Sequence, residues 1–388
     1  MKLTTDDSSL NTPAVLIDLE NLESNIQEMS VLAARAGVKL RPHVKVHENA
    51  TIAKRQIEAG ACGIEVGVVE QAAAMANAGI GDILIAHPNL YRGAKGELLT
   101  NLVGQSSLKI AVVVDMYEQA ELVSNIAQTL NKKISTLIKI DLGRSSRFGV
   151  LPGKAALQIA HRLEKLSGIS LDGIYGHEMG AKPTEGDKEA TAIEAAEIVT
   201  DTAKMLKDRG FRVEHVSLGS SPTFRSTCRL IQAGRFPEIT ELHPGQFVVG
   251  DIMYMMAGGN DMEACSVTVL ATVISTSHED WAMIDAGYKT FGGDSLIQYR
   301  QSPEFFFNGR PRFGVVQGRP DLWLGRLSAE TGSIYYKDPQ KGKLKLGERV
   351  EIVPNNATLV INIHNCIYGK RNKCIEETLQ TTGRGQGN

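Results

Sequence analysis

Residues 40–48 read LRPHVKVHE, and within them Arg41, His43, Lys45 and His47 alternate with Pro42, Val44 and Val46. Successive side chains of a β-strand point to opposite faces, so this spacing predicts a strand with all four polar residues on one side. A strand normally gives one face to the core. A polar inward face makes sense where it looks into the mouth of a barrel, and the flanking sequence supports a barrel.

Helical and strand patterns alternate on both sides of this stretch. Residues 20–36 read as an amphipathic helix, and 38–46 as the first strand. Further strands are predicted at 62–68, 82–88, 109–115, 135–143, 171–179, 214–221 and 239–250, with helical stretches between most of them. KIAVVVD (109–115) is a continuous apolar run, as a strand covered on both faces requires. Eight strands in alternation with helices predict an α/β (β/α)8 barrel over residues 20–250. A doubly wound open sheet would be expected to carry a glycine-rich turn after its first strand, and none is present. Beyond residue 250 the strand-like segments SVTVLATVIST, WAMIDAG, SIYYKD and GERVEIVP follow one another with little helical pattern. They predict a β-rich domain formed by residues 1–19 and 251–388.

Composition narrows the function. The 388 residues are 42% hydrophobic and 22% charged with a net charge of −2, which is ordinary for a globular protein and gives no reason to expect nucleic acid or a membrane surface as partner. No apolar run approaches membrane-spanning length, and the start, MKLTTDDSSLNTP, has no apolar leader core. Five scattered cysteines suit a reduced, cytoplasmic protein better than a disulfide framework.

In such a barrel, reactive groups sit at the C-terminal strand ends. Lys45, Asp141, Arg144, Arg147, His177, Glu178, Ser217, Gly219, Ser220 and Ser221 all fall there. SLGSSPT (217–223) and HPGQF (243–247) close the seventh strand and lie in the eighth, where barrels often bind phosphate through backbone N–H groups and hydroxyls. Either segment alone is more often a plain turn. A lysine confined with Arg41 and two imidazoles would be a nucleophilic amine. A reactive lysine and a phosphate cradle together match the requirements of pyridoxal 5′-phosphate.

RPHVKVHE also resembles a segment of the D-threonine aldolase and D-serine dehydratase family, whose barrel is similar to that of alanine racemase. TPAVLIDLENLESNI (12–26), DLGRSSRFGV (141–150), ELHPGQFVVGD (241–251), IDAG (284–287), GERVEIVPNNATLVINIHN (347–365) and RGQG (384–387) resemble further family segments, so the likeness spans nearly the whole chain. It implies a fold-type III pyridoxal-phosphate enzyme with a small amino-acid substrate, active as a homodimer. By position, Lys45 is the Schiff-base lysine. Gly219, Ser220, Ser221, Gly245 and Gln246 line the phosphate, and His43, Arg147 and His177 complete the cofactor contacts.

The pattern breaks at the family's divalent-metal ligands, a histidine followed two residues later by an acid or thiol. Here those positions hold Asn356 and Thr358, which are poor ligands for zinc or manganese. His364 and Cys366 have the same spacing downstream, but the flanking residues align the motif on Asn356. The family's tyrosine after the sixth strand is replaced by His177, and its later histidine by Gly180. The expected reaction is lysis of a D-3-hydroxy amino acid, by aldol cleavage or dehydration, with His47 or His177 in place of the metal. A metal-independent racemase and a non-enzymatic pyridoxal-phosphate carrier are the alternatives.

Overall fold

The computed structural model describes residues 5–143, 148–178, 185–259, 261–296 and 306–386. The chain forms two compact units. One consists mainly of residues 26–247; the other joins residues 1–25 to 248–256 and 260–385.

The chain starts with strands β1 (Thr5–Asp6) and β2 (Ala14–Asp18) and helix α1 (Leu19–Ala36). In α1 the buried Leu22, Ile26, Met29 and Ala33 recur at three- and four-residue spacing, which puts them on one stripe. Eight strands follow: β3 (Lys39–Leu40), β4 (Ile64–Val66), β5 (Asp82–Ile85), β6 (Lys109–Val114), β7 (Ile134–Ile140), β8 (Ile169–Gly176), β9 (His215–Leu218) and β10 (Glu241–Leu242). Between them lie α2 (Ala50–Glu58), α3 (Val69–Asn77), α4 (Ala94–Gly104), α5 (Tyr117–Thr129), α6 (Lys154–Leu163), α7 (Glu185–Asp208) and α8 (Phe224–Gln232). The strands are all parallel, in the order β3-β10-β9-β8-β7-β6-β5-β4. A parallel bridge between His43 and Glu65 joins the two ends of that order and closes the barrel.

The first and last barrel strands are shorter than the sequence predicts. Beyond β3 the chain turns through a short 3-10 segment, Val44–Val46, and beyond β10 through another, Gln246–Val248. Pro42 and Pro244 have no N–H to extend either ladder. Their carbonyls still accept hydrogen bonds, from Glu65 N at 2.9 Å and His43 N at 3.0 Å. Arg41, His43, Lys45 and His47 are therefore not on one strand face, and Gly245 lies past the strand rather than in it.

The second unit holds helix α9 (Ile252–Met256) and strands β11 (Val267–Ser275) and β12 (Trp281–Ile284). Helix α10 (Tyr288–Phe291) and strands β13 (Phe306–Phe307) to β14 (Arg310–Pro311), β15 (Gly314–Val316), β16 (Leu322–Leu327), β17 (Gly332–Tyr336) and β18 (Arg349–Pro354) come next. It ends with α11 (Ala357–Ile363), β19 (Cys366–Arg371) and β20 (Cys374–Gln380). Six of these, β11-β12-β17-β16-β15-β18, close into a ring because β18 pairs back to β11. The early strand β2 joins this sheet between β11 and β19. Among the described residues no helix is long and apolar enough to cross a membrane.

The tightest of several close backbone approaches in the barrel lies in β8. A Cβ at Gly173 in β8 would lie 1.9 Å from the carbonyl oxygen of His215 in β9. Gly173→Ala is expected to force these strands apart and cost about 1–3 kcal/mol or more, read as a lower denaturant midpoint.

Candidate active site in the barrel

Register builds the site. Lys139 on β7 stands opposite Tyr175 on β8, Tyr175 opposite Ser217 on β9, and Ser217 opposite Glu241 on β10. In-register residues of parallel strands share a face, so four polar side chains form one layer inside the barrel. Glu65 on β4 completes it: its Oε1 accepts a hydrogen bond from Tyr175 Oη at 2.8 Å. Ser217 Oγ donates to Glu241 Oε1 at 3.2 Å, and Arg41 Nε donates to Glu241 Oε2 at 2.9 Å. Arg41 also pairs with Asp82 at 2.6 Å.

Two residues further along the strands, the polar layer gives way to rings. His243 stacks on Tyr175 with centroids 4.3 Å apart and planes 9° from parallel. His177 lies 5.8 Å from His243, and His87 lies 6.1 Å from His43. The Lys139 Nζ sits 4.3 Å over the Tyr175 ring and 5.3 Å from that of Phe148. A cavity of about 830 Å³ opens beside His87 and Phe148, with Val68, Asn89, Leu90 and Met116 among its walls.

The loops after β9 and β10 meet at this end. Ser221 Oγ accepts from the backbone N–H of Gly245 at 2.9 Å and of Phe247 at 3.2 Å. Ser220 and Thr223 share a hydroxyl hydrogen bond, and Thr223 donates to Glu178. Gly219 has a φ of +149°, and a Cβ there would lie 3.1 Å from His243 N; one at Gly245 would lie 3.0 Å from the His43 carbonyl oxygen. At these two positions the backbone passes so close to its neighbours that a side chain would crowd them.

Burial sets the protonation pattern. It holds His43 and His243 well below the ordinary histidine range, and His177 and His87 down at about 3 and about 4. The Lys45 charge adds to the effect in all four. Burial also lowers the Lys139 amine to about 8, against the pull of Glu65. The same desolvation raises the carboxyls, Glu65 to about 8 and Glu178 to about 7. Neutral rings, a neutral-leaning amine and protonated carboxyls result from placing ionisable groups in a space with little water.

Most residues expected from the sequence meet here. The half-buried Lys45, with His43, His177, Gly219, Ser220, Ser221, Gly245 and Gln246, lies at the C-terminal end of the barrel. Arg144 and Arg147 lie outside the described residues. His47 is a correction. It is fully buried, accepts from Asn49 N at Nδ1 (3.1 Å) and faces Gln56 of α2 through Nε2 (3.2 Å). The turn after Pro42 rotates it away from the face of His43, so it braces a helix instead of facing the lumen. In the second unit, Asn356 caps α11: Oδ1 accepts from Leu359 N at 3.3 Å, and Nδ2 donates to Asp294 at 3.0 Å. Thr358 lies in the first turn of that helix. His364 is held by the Val360 carbonyl at 2.7 Å, just outside the strand that Cys366 opens. Among the described residues no group of three or more His, Cys, Asp or Glu is arranged to hold a metal.

Glu65, Lys139, Tyr175, His87 and His243 are site residues that the sequence alone does not single out. Glu65 in CGIEVGV and Lys139 in STLIKIDLG carry a signal nonetheless: each is a lone charge inside an apolar barrel strand. A charge at such a position must face a polar lumen.

The expected pH effect of His47 follows from its ring being pushed down to about 4 by burial. A depressed folded-state pKa contributes stability that is present above about 6.5 and is lost as pH falls through about 4. His47→Gln should therefore flatten the acid limb of stability by on the order of 3 kcal/mol, measured by urea unfolding near neutrality and near pH 4.

Comparison with known proteins agrees with this architecture. Residues 266–369 match the family described as "Putative serine dehydratase domain". The chain is 27% identical over 383 residues to a D-threonine aldolase of an Arthrobacter species, covering 97% of this chain and 93% of that one. It is 28% identical over 360 residues to a D-threo-3-hydroxyaspartate dehydratase of a Delftia species, covering 90% and 91%. The crystal structure of D-threonine aldolase from Filomicrobium marinum superposes with a TM-score of 0.85 at 26% identity, over 100% of both chains. Residues 17–252 match the family described as "Alanine racemase, N-terminal domain", more than half of the length, and the chain belongs to that family.

Proposed function

We propose that this protein is a pyridoxal-phosphate-dependent lyase that cleaves or dehydrates a D-3-hydroxy amino acid, with Lys45 as the covalent anchor of the cofactor. One observation carries the reading. A half-buried lysine stands at the barrel mouth, and its charge acts on every histidine of the lumen. Relatives aligned over nearly the whole chain are named as lyases of D-hydroxy amino acids.

The residues present fit the cofactor. Gly219 and Gly245 let the loops after β9 and β10 pack closely against His243 and His43, and Ser220, Ser221 and Gln246 would hold the phosphate there. His43 and His177 would flank the ring, and the family resemblance adds Arg147 to the cofactor contacts. When bound, the cofactor supplies an electron-withdrawing ring that acidifies the substrate's α-carbon or weakens its α–β bond. The chain's own part is to supply the Lys45 amine, to exclude water and to move protons. His177 is the ring we assign to proton transfer: it is neutral near pH 7, and its buried Nδ1 has no hydrogen-bond partner among the described residues.

The residues at the family's metal positions do not fit a divalent cation. Asn356 spends its carbonyl on a helix cap and its amide on Asp294, and Thr358 offers a neutral hydroxyl. The proton of the substrate's β-hydroxyl is therefore assigned to side chains of this protein. The same substitution favours a second reading, a racemase, because α-proton exchange needs no metal. We also propose a homodimer in the cytoplasm, testable by light scattering of the purified protein and by cell fractionation.

Addition of pyridoxal phosphate should produce a visible absorption band that borohydride traps on Lys45 and that Lys45→Ala abolishes; a band retained by that variant removes the anchor assignment. Incubation with D-threonine, D-serine and D-alanine, with and without EDTA, should yield an aldehyde or a keto acid unaffected by the chelator. Enantiomer as the only product establishes the racemase instead. Loss of activity in EDTA would show that a metal site exists.

A further inference from the structure

We propose that Glu65 is a positioning residue of this site: its carboxyl, tied to Tyr175, orients His43 and through it the turn that presents Lys45.

The geometry is specific. Glu65 is 0% exposed in the middle of β4. Its Oε1 accepts from Tyr175 across the lumen at 2.8 Å and lies 3.4 Å from His43 Nε2, which makes no hydrogen bond among the described residues. Its Oε2 lies 3.8 Å from His243 Nδ1 and has no hydrogen-bond partner among the described residues. His43 Nδ1 accepts the backbone N–H of Lys45 at 3.5 Å, so the ring's proton belongs on Nε2, facing Glu65. One line of contacts thus runs Tyr175, Glu65, His43, Lys45 backbone.

The carboxyl is faced from all sides by groups that decide its charge. His43 and Lys45 follow β3, Lys139 comes from β7, Tyr175 from β8, and Glu241 and His243 from β10 and its end. The hydrogen bond from Tyr175 favours the carboxylate, and so do Lys45 and Lys139. Burial opposes it most, and Glu241, the carboxylate bonded to Arg41, opposes it too. The net effect lifts Glu65 to about 8, while burial and Lys45 keep His43 neutral, and burial, His177 and both lysines keep His243 neutral. The proton therefore resides on the carboxyl near neutral pH. A protonated carboxyl both accepts and donates, whereas a carboxylate only accepts. Glutamine has the same double capacity and nearly the same shape, while alanine has neither.

The test has two arms, of which the second rests on the reading of Lys45 as cofactor anchor. In the first, full-length cofactor-free wild type, Glu65→Gln and Glu65→Ala are melted near pH 5 and near pH 9. A raised folded-state pKa contributes stability that is complete below about 4.5 and lost as pH rises through about 8. The Gln variant lacks this loss, so its midpoint should gain on the wild type by several degrees between the two pH values. A gap that stays constant or shrinks overturns the protonated carboxyl. In the second arm, pyridoxal phosphate is the probe and borohydride trapping on Lys45 near pH 7 the readout. Trapping should persist in the Gln variant and fall about tenfold in the Ala variant, the effect of one unmet buried contact. Equal losses in both variants, or none in the Ala variant, overturn the positioning role. If the wild type itself takes up no cofactor, the proposed function fails, and the melting arm still judges the proton on Glu65.

Discussion

The barrel closes at its weakest seam. The first strand gives two residues to the ladder with the last, and on its other side it meets β4 without a regular ladder. Backbone bonds from Cys62 N to Leu40 O and from Glu65 N to Pro42 O, with the His43–Glu65 bridge, hold that side. Lys45 follows two residues after the bridge. The position of the Lys45 amine is thus set by the same contact that turns eight strands into a ring. Changes in the seam reach this amine directly, because no long strand isolates one from the other.

What fills the ring follows from that closure. Many barrels pack branched apolar side chains inside; here Leu84, Ala86, Val113 and Leu137 do so on one side. On the other side Lys139, Tyr175, Ser217, Glu241, Arg41 and Glu65 make a polar layer. Among the described residues, Glu241 is the acid of this layer with a guanidinium beside it. Glu65 and the rings beyond it meet the cost of burial by shedding charge, which leaves proton positions sensitive to the charge of Lys45. An amine in that setting is an electrostatic control for its neighbours.

Much of this is legible in the sequence, for identifiable reasons. Strands such as 109–115 read clearly because both faces are covered, and the helices read because their buried residues recur at helical spacing. The first strand misleads at its end. Alternation in RPHVKVH is real, but Pro42 and Pro244 interrupt the ladder and the backbone enters a 3-10 turn. Period two then no longer assigns faces, and His47 goes to α2 instead of the lumen. Glu65 and Tyr175 escape notice because their partnership spans 110 residues of chain. Each looks like an ordinary strand residue until the barrel brings them together.

The altered metal positions show the same dependence of chemistry on local structure. An N-cap asparagine must turn its side-chain oxygen back toward the helix to accept a backbone N–H. Asn356 does this for Leu359, and its amide is engaged by Asp294. A metal ligand at this position would need its lone pair directed outward, away from the helix it begins. The replacement is therefore more than the loss of a donor: the position has become part of the scaffold of α11. A single reversion to histidine would remove the cap without supplying the second ligand, since Thr358 remains a neutral hydroxyl within the first turn.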